Sequence, residues 1–236
     1  AGASRVREQH TYAHRVETMF APLARTATAT ASSTKRDEVR FHRGGYYRNV
    51  RPEIAQHVPL STQRLLDVGC GGGDFGESLK RQGVREVYGI ELVEKAWKIA
   101  KTKLDDVVLG DLEKIDLPFP QQHFDCITCG DVLEHLVDPT AALRKLVGHL
   151  AADGVIIMSI PNVRFFDVLT MLGGGRWQYQ DAGILDRTHL RFFTAVEMVQ
   201  MVEEAGLEVL HIGPLSYATP QQLPRNPDGS VTLGRM

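Results

Sequence analysis

Between Leu65 and Gly76 the chain reads Leu-Leu-Asp-Val-Gly-Cys-Gly-Gly-Gly-Asp-Phe-Gly. This is a short apolar run, an abrupt glycine turn and the start of a helix. Four glycines within five positions, Gly69 to Gly73, let the backbone turn tightly at positive φ. They also leave no side chain between the backbone and anything bound there. Such a loop feeds a nucleotide-like ligand onto a helix N-terminus. Gly71 to Gly76 formally matches G-x-G-x-x-G, the dinucleotide pattern. The register argues against that match, because the turn already begins at Gly69. The operative pattern is Asp67-x-Gly69-x-Gly71-x-Gly73, with a carboxylate at the end of the strand. A carboxylate there repels a pyrophosphate and suits a cationic, amine-bearing ligand. No Lys-[Ser/Thr] pair follows the glycines, so a P-loop for nucleoside triphosphates is excluded.

The length suits one α/β domain with modest extensions. A net charge of −2 gives no global signature of nucleic-acid binding, so no nucleic-acid partner is expected. No apolar run approaches a membrane span, and no secretory signal is visible. Cys126 and Cys129 form a C-x-x-C inside an apparent strand, which puts them on opposite faces. They read as small buried residues, and a reducing cytoplasm fits three cysteines without a disulfide framework.

Residues 1–40 read as an N-terminal extension and linker. Residues 4–25 suggest a surface helix, and 26–34 are almost all Thr, Ala and Ser. A bias toward Arg, Ala, Ser and Thr suggests a transit peptide, but Glu8 and Glu17 weigh against it. The chain lacks an initiator Met, as a processed or excised piece of a larger protein would. Residues 41–236 read as the main domain. At its start, His42, Arg43, Tyr46, Tyr47 and Arg48 precede a helix around Pro52 to His57. This stretch either lids a ligand or packs on the sheet edge with its arginines in solvent.

From Arg64 the pattern is regular. Strands are expected at 64–68, 86–91, 106–109, 124–129, 155–160 and 207–212. Amphipathic helices fall between them, one with a stripe of Leu143, Leu146, Val147 and Leu150. Thr194 to Glu197 forms a capping box opening a helix that ends at Gly206. Val231 to Met236 is a candidate for a last strand. Alternating strands and helices imply a mostly parallel sheet covered on both faces, with ligands beyond the carboxyl ends of the strands.

Four acidic residues stand at successive strand ends: Asp67, Glu91, Asp111 and Asp131. Singly, each could be a solvated surface carboxylate. Together they make a rim suited to a sulfonium, an ammonium, two ribose hydroxyls and an adenine amine. Leu65 to Gly73, Glu91, Gly110-Asp111, Leu117 to Phe119 with His123 to Asp125, and Asp131 to Leu136 resemble the successive motifs of class I S-adenosylmethionine (SAM) methyltransferases. The likeness spans about residues 45–212 and is nearest the group of ubiquinone-biosynthesis and sugar O-methyltransferases. It implies a Rossmann-like seven-stranded sheet whose last strand is antiparallel. It implies SAM as cofactor, S-adenosylhomocysteine as product and no metal. By the same resemblance Asp67, Gly69, Cys70, Gly71 and Gly73 surround the methionine part of SAM. Glu91 and Leu92 hold the ribose, Asp111 and Leu112 the adenine, and Gly130-Asp131 the sulfonium side.

Methyl transfer displaces a neutral thioether, so no acid is needed. What remains is positioning, and removal of a proton if the acceptor is a hydroxyl. Two histidines are candidate bases, since an unperturbed imidazole titrates near neutrality. His135 lies just past the fourth strand. His189 lies with Asp186 in a long insertion, 161–193, where connections usually run about 2–6 residues. Phe165, Phe166, Trp177 and Tyr179 with Gly173 to Gly175 suggest a substrate lid. Gly183 to Thr194 resembles a segment of bacterial sugar and secondary-metabolite methyltransferases. The structural alternatives are that His189 and Asp186 fasten the lid to the sheet, and that His135 caps the following turn.

The expected activity is therefore O-methylation of a small hydroxylated molecule such as a sugar or secondary metabolite. Asp131-x-x-Glu134-His135 also resembles the Glu-x-x-Glu-His metal site of small-RNA 3′-terminal methyltransferases, with Asp in place of the first Glu and Leu136 where a second His stands. The other readings are a non-catalytic SAM-binding module of a larger protein and a nicotinamide oxidoreductase.

Overall fold

The structure, a computed structural model, describes residues 50–215. The expected helix at 4–25, the linker at 26–34, the aromatic and arginine-rich stretch 41–49 and the candidate strand at 231–236 lie outside the described residues.

Five parallel strands form one sheet: β1 (Arg64–Val68), β2 (Glu86–Glu91), β3 (Asp106–Leu109), β4 (Phe124–Gly130) and β5 (Leu150–Ser159), in the order β3-β2-β1-β4-β5. The order reverses at β1, so the crevice beside β1 and β4 opens at the carboxyl end of the sheet. Helices α1 (Pro52–Ala55), α2 (Asp74–Arg81), α3 (Glu94–Ala100), α4 (Pro139–His149), α5 (Phe166–Gly173) and α6 (Ala195–Glu204) connect and cover it, with a 3-10 turn at Leu133–His135.

The period of two along the strands splits the core into two layers. Leu65, Val87 and Cys126 pack with Ile54, Phe75, Leu79 and Ala100 on one face. Leu66, Val68, Ile127 and Cys129 pack with Leu143, Leu146 and Met201 on the other. The two cysteines therefore lie on opposite faces. Burial pushes the Cys126 thiol up to about 12, with the Asp67 and Asp125 charges adding to it, which keeps it inert. Leu143 and Leu146 are fully buried, and each stabilises the fold by roughly 1.5–3 kcal/mol.

Asp138 caps α4 through Ala141 N–H, 2.9 Å from its Oδ1, and Pro139 takes the first turn. The Thr194–Glu197 capping box opens α6, and Gly206, at φ 88°, follows its end.

Three expectations change. Leu150 does not finish the α4 stripe. It opens β5, paired with Phe124 across a register shift, so β5 starts five residues earlier than its apolar run. A helix stripe and a buried strand are both apolar, and periodicity does not separate them there. Residues 207–212 form no strand. Leu207 packs on the core, while Leu210 and Ile212 stand in solvent. Of the seven strands expected, five are seen among the described residues. Finally, α1 ends at Ala55 rather than His57, and its Ile54 is buried against the sheet.

Candidate functional site

The glycine loop leaves β1 at its carboxyl end. Gly69, Gly71 and Gly73 take φ of 70°, 55° and 77°. Gly69 and Cys70 donate to the Ile90 carbonyl at 2.8 and 3.1 Å, which pins the loop to β2. Glu91 completes this frame. Its Oε2 accepts from Gly71 N–H and its Oε1 from Val93 N–H, each at 2.7 Å. The side chain expected from sequence to hold a ribose is here engaged in shaping the loop.

Asp67 is buried beneath the loop, with Thr128 Oγ1 donating to it at 2.8 Å. Burial raises its carboxyl to about 7, against the lowering effects of the Thr128 hydrogen bond and the Arg51 charge, with Glu91 pushing further up. Asp111, after β3, is partly buried, which would raise it. Hydrogen bonds from Lys114 and from Glu113 N–H, with the charges of Lys114 and Lys145, hold it below its usual range. Leu92 is half exposed beyond β2, whereas the Leu112 side chain is in the core.

Gly130 and Asp131 end β4. Asp131 sits at φ 56°, a conformation that costs a non-glycine residue about 1–2 kcal/mol. Several contacts hold it there. Arg51 Nη2 donates to Asp131 Oδ2 at 2.9 Å and to Ser159 Oγ at 3.0 Å, and Ser159 Oγ donates to Asp131 Oδ1 at 2.7 Å. Gly130 makes room for the guanidinium, since a Cβ there would lie 2.5 Å from Arg51 Nη1. Arg51 and Ser159 were not found in the sequence. They stand 80 and 28 residues from Asp131, and no local pattern marks such pairs. The one available signal was Arg51-Pro52 at the mouth of a helix.

Beyond Asp131, the 3-10 turn presents Glu134 and His135, and the insertion folds back onto it. Leu190 and Arg191 donate their backbone N–H groups to the Glu134 carbonyl at 2.8 and 3.0 Å, and Arg191 also reaches the Val137 carbonyl. His135 Nδ1 faces the Thr188 carbonyl at 3.1 Å, and His189 Nδ1 faces that of Ile184 at 2.9 Å. The two rings meet edge to face with centroids 4.7 Å apart. His189 Nε2 lies 3.8 Å from Oε1 of the buried Glu134. Asp186 is buried in the same turn and accepts from Thr188 N–H at 2.8 Å and Thr188 Oγ1 at 2.7 Å. It therefore shapes the segment that carries the histidines. Trp177, Tyr179 and Phe192 cluster on the insertion, and Phe192 also meets the His189 ring with centroids 6.4 Å apart.

The structure thus brings His135 and His189 together and puts Glu134 beside them. Asp131 turns instead to Arg51 and Ser159. Donor atoms of Glu134, His135 and His189 lie within 4.8 Å of one another, and that group does not include Asp131.

A parallel sheet of order β3-β2-β1-β4-β5, with a glycine loop after β1 and an acidic residue at the tip of β2, is shared by class I methyltransferases and dinucleotide-binding folds, and the family match decides between them. The family profile described as "Methyltransferase domain" matches residues 8–212, and the chain belongs to that family. Among curated relatives, ubiquinone biosynthesis O-methyltransferase of Neisseria meningitidis serogroup C is 30% identical over 170 residues, 70% of this chain and 71% of that one. The enzyme of the same name from Nitrosospira multiformis is also 30% identical, covering 70% of each chain. Of solved structures, a SAM-dependent methyltransferase from Thermotoga maritima superposes with a TM-score of 0.54 at 22% identity, covering 74% of this chain and 78% of that one. One from Mesorhizobium loti gives 0.53 at 20% identity, covering 68% and 81%. The chain is a SAM-dependent methyltransferase. No helix of the described residues is long and apolar enough to cross a membrane.

Proposed function

We propose that the chain transfers the methyl group of SAM to a hydroxyl of a small molecule, such as a sugar or a secondary metabolite. The observation that carries this reading is the pair of imidazoles just beyond β4. A carbonyl only accepts, so the Nδ1 atoms of His135 and His189 that face Thr188 O and Ile184 O carry the protons. In the neutral ring each Nε2 then holds a lone pair able to take a proton, which an O-methyl transfer requires and a more basic amine does not. The names of the relatives support oxygen as the acceptor atom. The buried thiols fit a reducing cytoplasm.

In this reading Gly69, Cys70, Gly71 and Gly73 bring backbone against the methionine part of SAM. Glu91 and Leu92 flank the ribose. Asp111 and the Leu112 backbone meet the adenine. Gly130 and Asp131 border the sulfonium, and Arg51 gives the ligand's carboxylate a cationic partner. The insertion 161–193 acts as a lid that keeps water from the sulfonium while Asp186 holds the lid's histidine turn in shape. The main domain runs 41–236, with 1–40 an appended segment.

Asp67 gives this reading a pH signature. Its folded value of about 7 exceeds its ordinary 3.8, so the free fold holds a proton that the unfolded chain releases. The stability from this group is full below about 4 and is lost as pH rises through about 7. A cationic ligand reverses the preference by favouring the carboxylate. SAM binding therefore releases protons between about pH 5 and 7, and affinity rises with pH across that window before levelling. Calorimetry in two buffers of different ionisation enthalpy measures this release. Asp67→Asn abolishes it, and equal heats in both buffers at pH 6 would contradict the placement of SAM against Asp67.

A further inference from the structure

The cluster of Glu134, His135 and His189 is built more tightly than a pair of proton acceptors needs. Glu134 and His135 come from the 3-10 turn, and His189 comes from the insertion more than fifty residues later. Main-chain bonds from Leu190 and Arg191 to the Glu134 carbonyl lock the two segments in register. Thr188 Oγ1 gives its hydrogen to Asp186 Oδ1 at 2.7 Å, so toward His135 Nδ1, 3.2 Å away, it can only accept. Both imidazoles are thereby fixed as Nδ1–H tautomers, each donating to a backbone carbonyl. That is the outer support typical of metal-bound histidine, which orients the ring and makes the other nitrogen a better donor.

Distances agree. His189 Nε2 and Glu134 Oε1 are 3.8 Å apart, too far for a hydrogen bond. They are nearer than the about 4.2 Å that two ligands, each about 2.1 Å from one cation, can span. One donor atom from each of the three residues lies within 4.8 Å of the others, so the widest pair closes by up to about 0.6 Å when an ion binds. The buried Glu134 carboxylate, with the His189 ring beside it, gains from a positive charge placed next to it.

We propose that Glu134, His135 and His189 form a site for one first-row transition-metal dication, contrary to the sequence expectation of no metal. Two imidazole nitrogens and one carboxylate oxygen suit Zn²⁺ or its first-row neighbours better than Mg²⁺ or Ca²⁺, which prefer oxygen. Three protein ligands leave a coordination position open. Since His189 belongs to the insertion, the ion also fastens the lid to the sheet. At the open position the ion would lower the pKa of an acceptor hydroxyl, whose proton would pass to solvent rather than to Nε2 while its oxygen takes the methyl and the neutral thioether leaves. This last role rests on the hydroxyl-transfer reading, whereas the binding does not.

The test is calorimetric titration of the chelator-treated full chain with Zn²⁺, and with Mg²⁺ beside it. SAM binding is measured on every sample. One equivalent of Zn²⁺ is expected, with Mg²⁺ at least about tenfold weaker. Glu134→Gln and His189→Ala each weaken Zn²⁺ by about 100-fold or more while SAM still binds. Because either variant could misfold, Co²⁺ is also loaded into the parent. A visible ligand-field band without a thiolate charge-transfer band places the ion on nitrogen and oxygen rather than on cysteine. The proposal is overturned by a SAM-binding parent that takes up no Zn²⁺, by Zn²⁺ binding that survives in both variants, or by a thiolate band. A parent that fails to bind SAM would count against the cofactor assignment and not against the ion.

Discussion

Replacing His135 by alanine lowers the rate of methyl transfer by about 10²–10⁴-fold, the range general-base assistance supplies, and leaves SAM affinity within about twofold. The ring sits beyond Asp131, which the proposed reading puts beside the sulfonium, and its Nδ1 proton is committed to Thr188. Removing it takes away the Nε2 lone pair and nothing from the glycine loop. The loss falls on kcat because the lone pair matters once the hydroxyl begins to lose its proton. Single-turnover release of S-adenosylhomocysteine, measured from pH 5.5 to 9 with saturating SAM, is the readout. A free imidazole base gives a parent rate that rises with pH and then levels, with or without chelator. Metal-assisted deprotonation gives a rate that chelator removes and Zn²⁺ restores. A His135→Ala enzyme with parental turnover would show that the ring merely caps its turn. His189→Ala behaves similarly but also loosens the lid, so its KM for acceptor rises as well.

The second large effect is on the glycine loop. Gly69→Ala places a Cβ 2.7 Å from Val132 Cγ2 while the backbone holds φ +70°. The left-handed conformation alone costs an alanine about 1–2 kcal/mol, and the contact forces either the loop or the Val132 turn to shift. Both borders of the expected SAM pocket are involved, since Val132 follows Asp131. SAM affinity falls by about 10–100-fold, and stability against denaturant drops by roughly 1–3 kcal/mol. Gly175→Ala is the control. It has a similar φ of +72° with nothing within 4 Å, so it carries the backbone strain without the collision. Urea unfolding and SAM calorimetry on both variants separate the two terms. Equal SAM affinity in Gly69→Ala and the parent would remove the loop from the binding site.

The parts of the site that sequence reasoning found are those written within a few residues of one another. Asp67, the glycines and Glu91 follow from strand periodicity and turn chemistry, and the carboxyl end of a parallel sheet is where such residues gather. His135 and His189 were legible as candidates because each lies beside a strand end or in an overlong connection. Their meeting was not legible, since it depends on how the insertion folds, and Thr188 and Leu190 carry no signal for that. Arg51 and Ser159 escaped for the same reason. A guanidinium that bridges two strand ends is a long-range contact with no period. Asp186 was expected either to act with His189 or to fasten the insertion, and its hydrogen bonds to Thr188 join it to the turn that carries His189. In the sheet, Leu150 was misassigned because an apolar residue at a helix–strand junction satisfies both patterns. The 207–212 run has the alternation of a strand, yet no pairing partner is present among the described residues.

The central claim is transfer of methyl from SAM to a hydroxyl, and one measurement tests it most directly. A coupled assay for S-adenosylhomocysteine release is run on the purified chain against phenols, sugars, nucleotide sugars, carboxylates and amines. Mass spectrometry then locates the added methyl group. The account predicts turnover on one hydroxyl-bearing class, with the methyl on oxygen. Methyl on nitrogen or carbon, or SAM binding with no turnover on any acceptor, would contradict it.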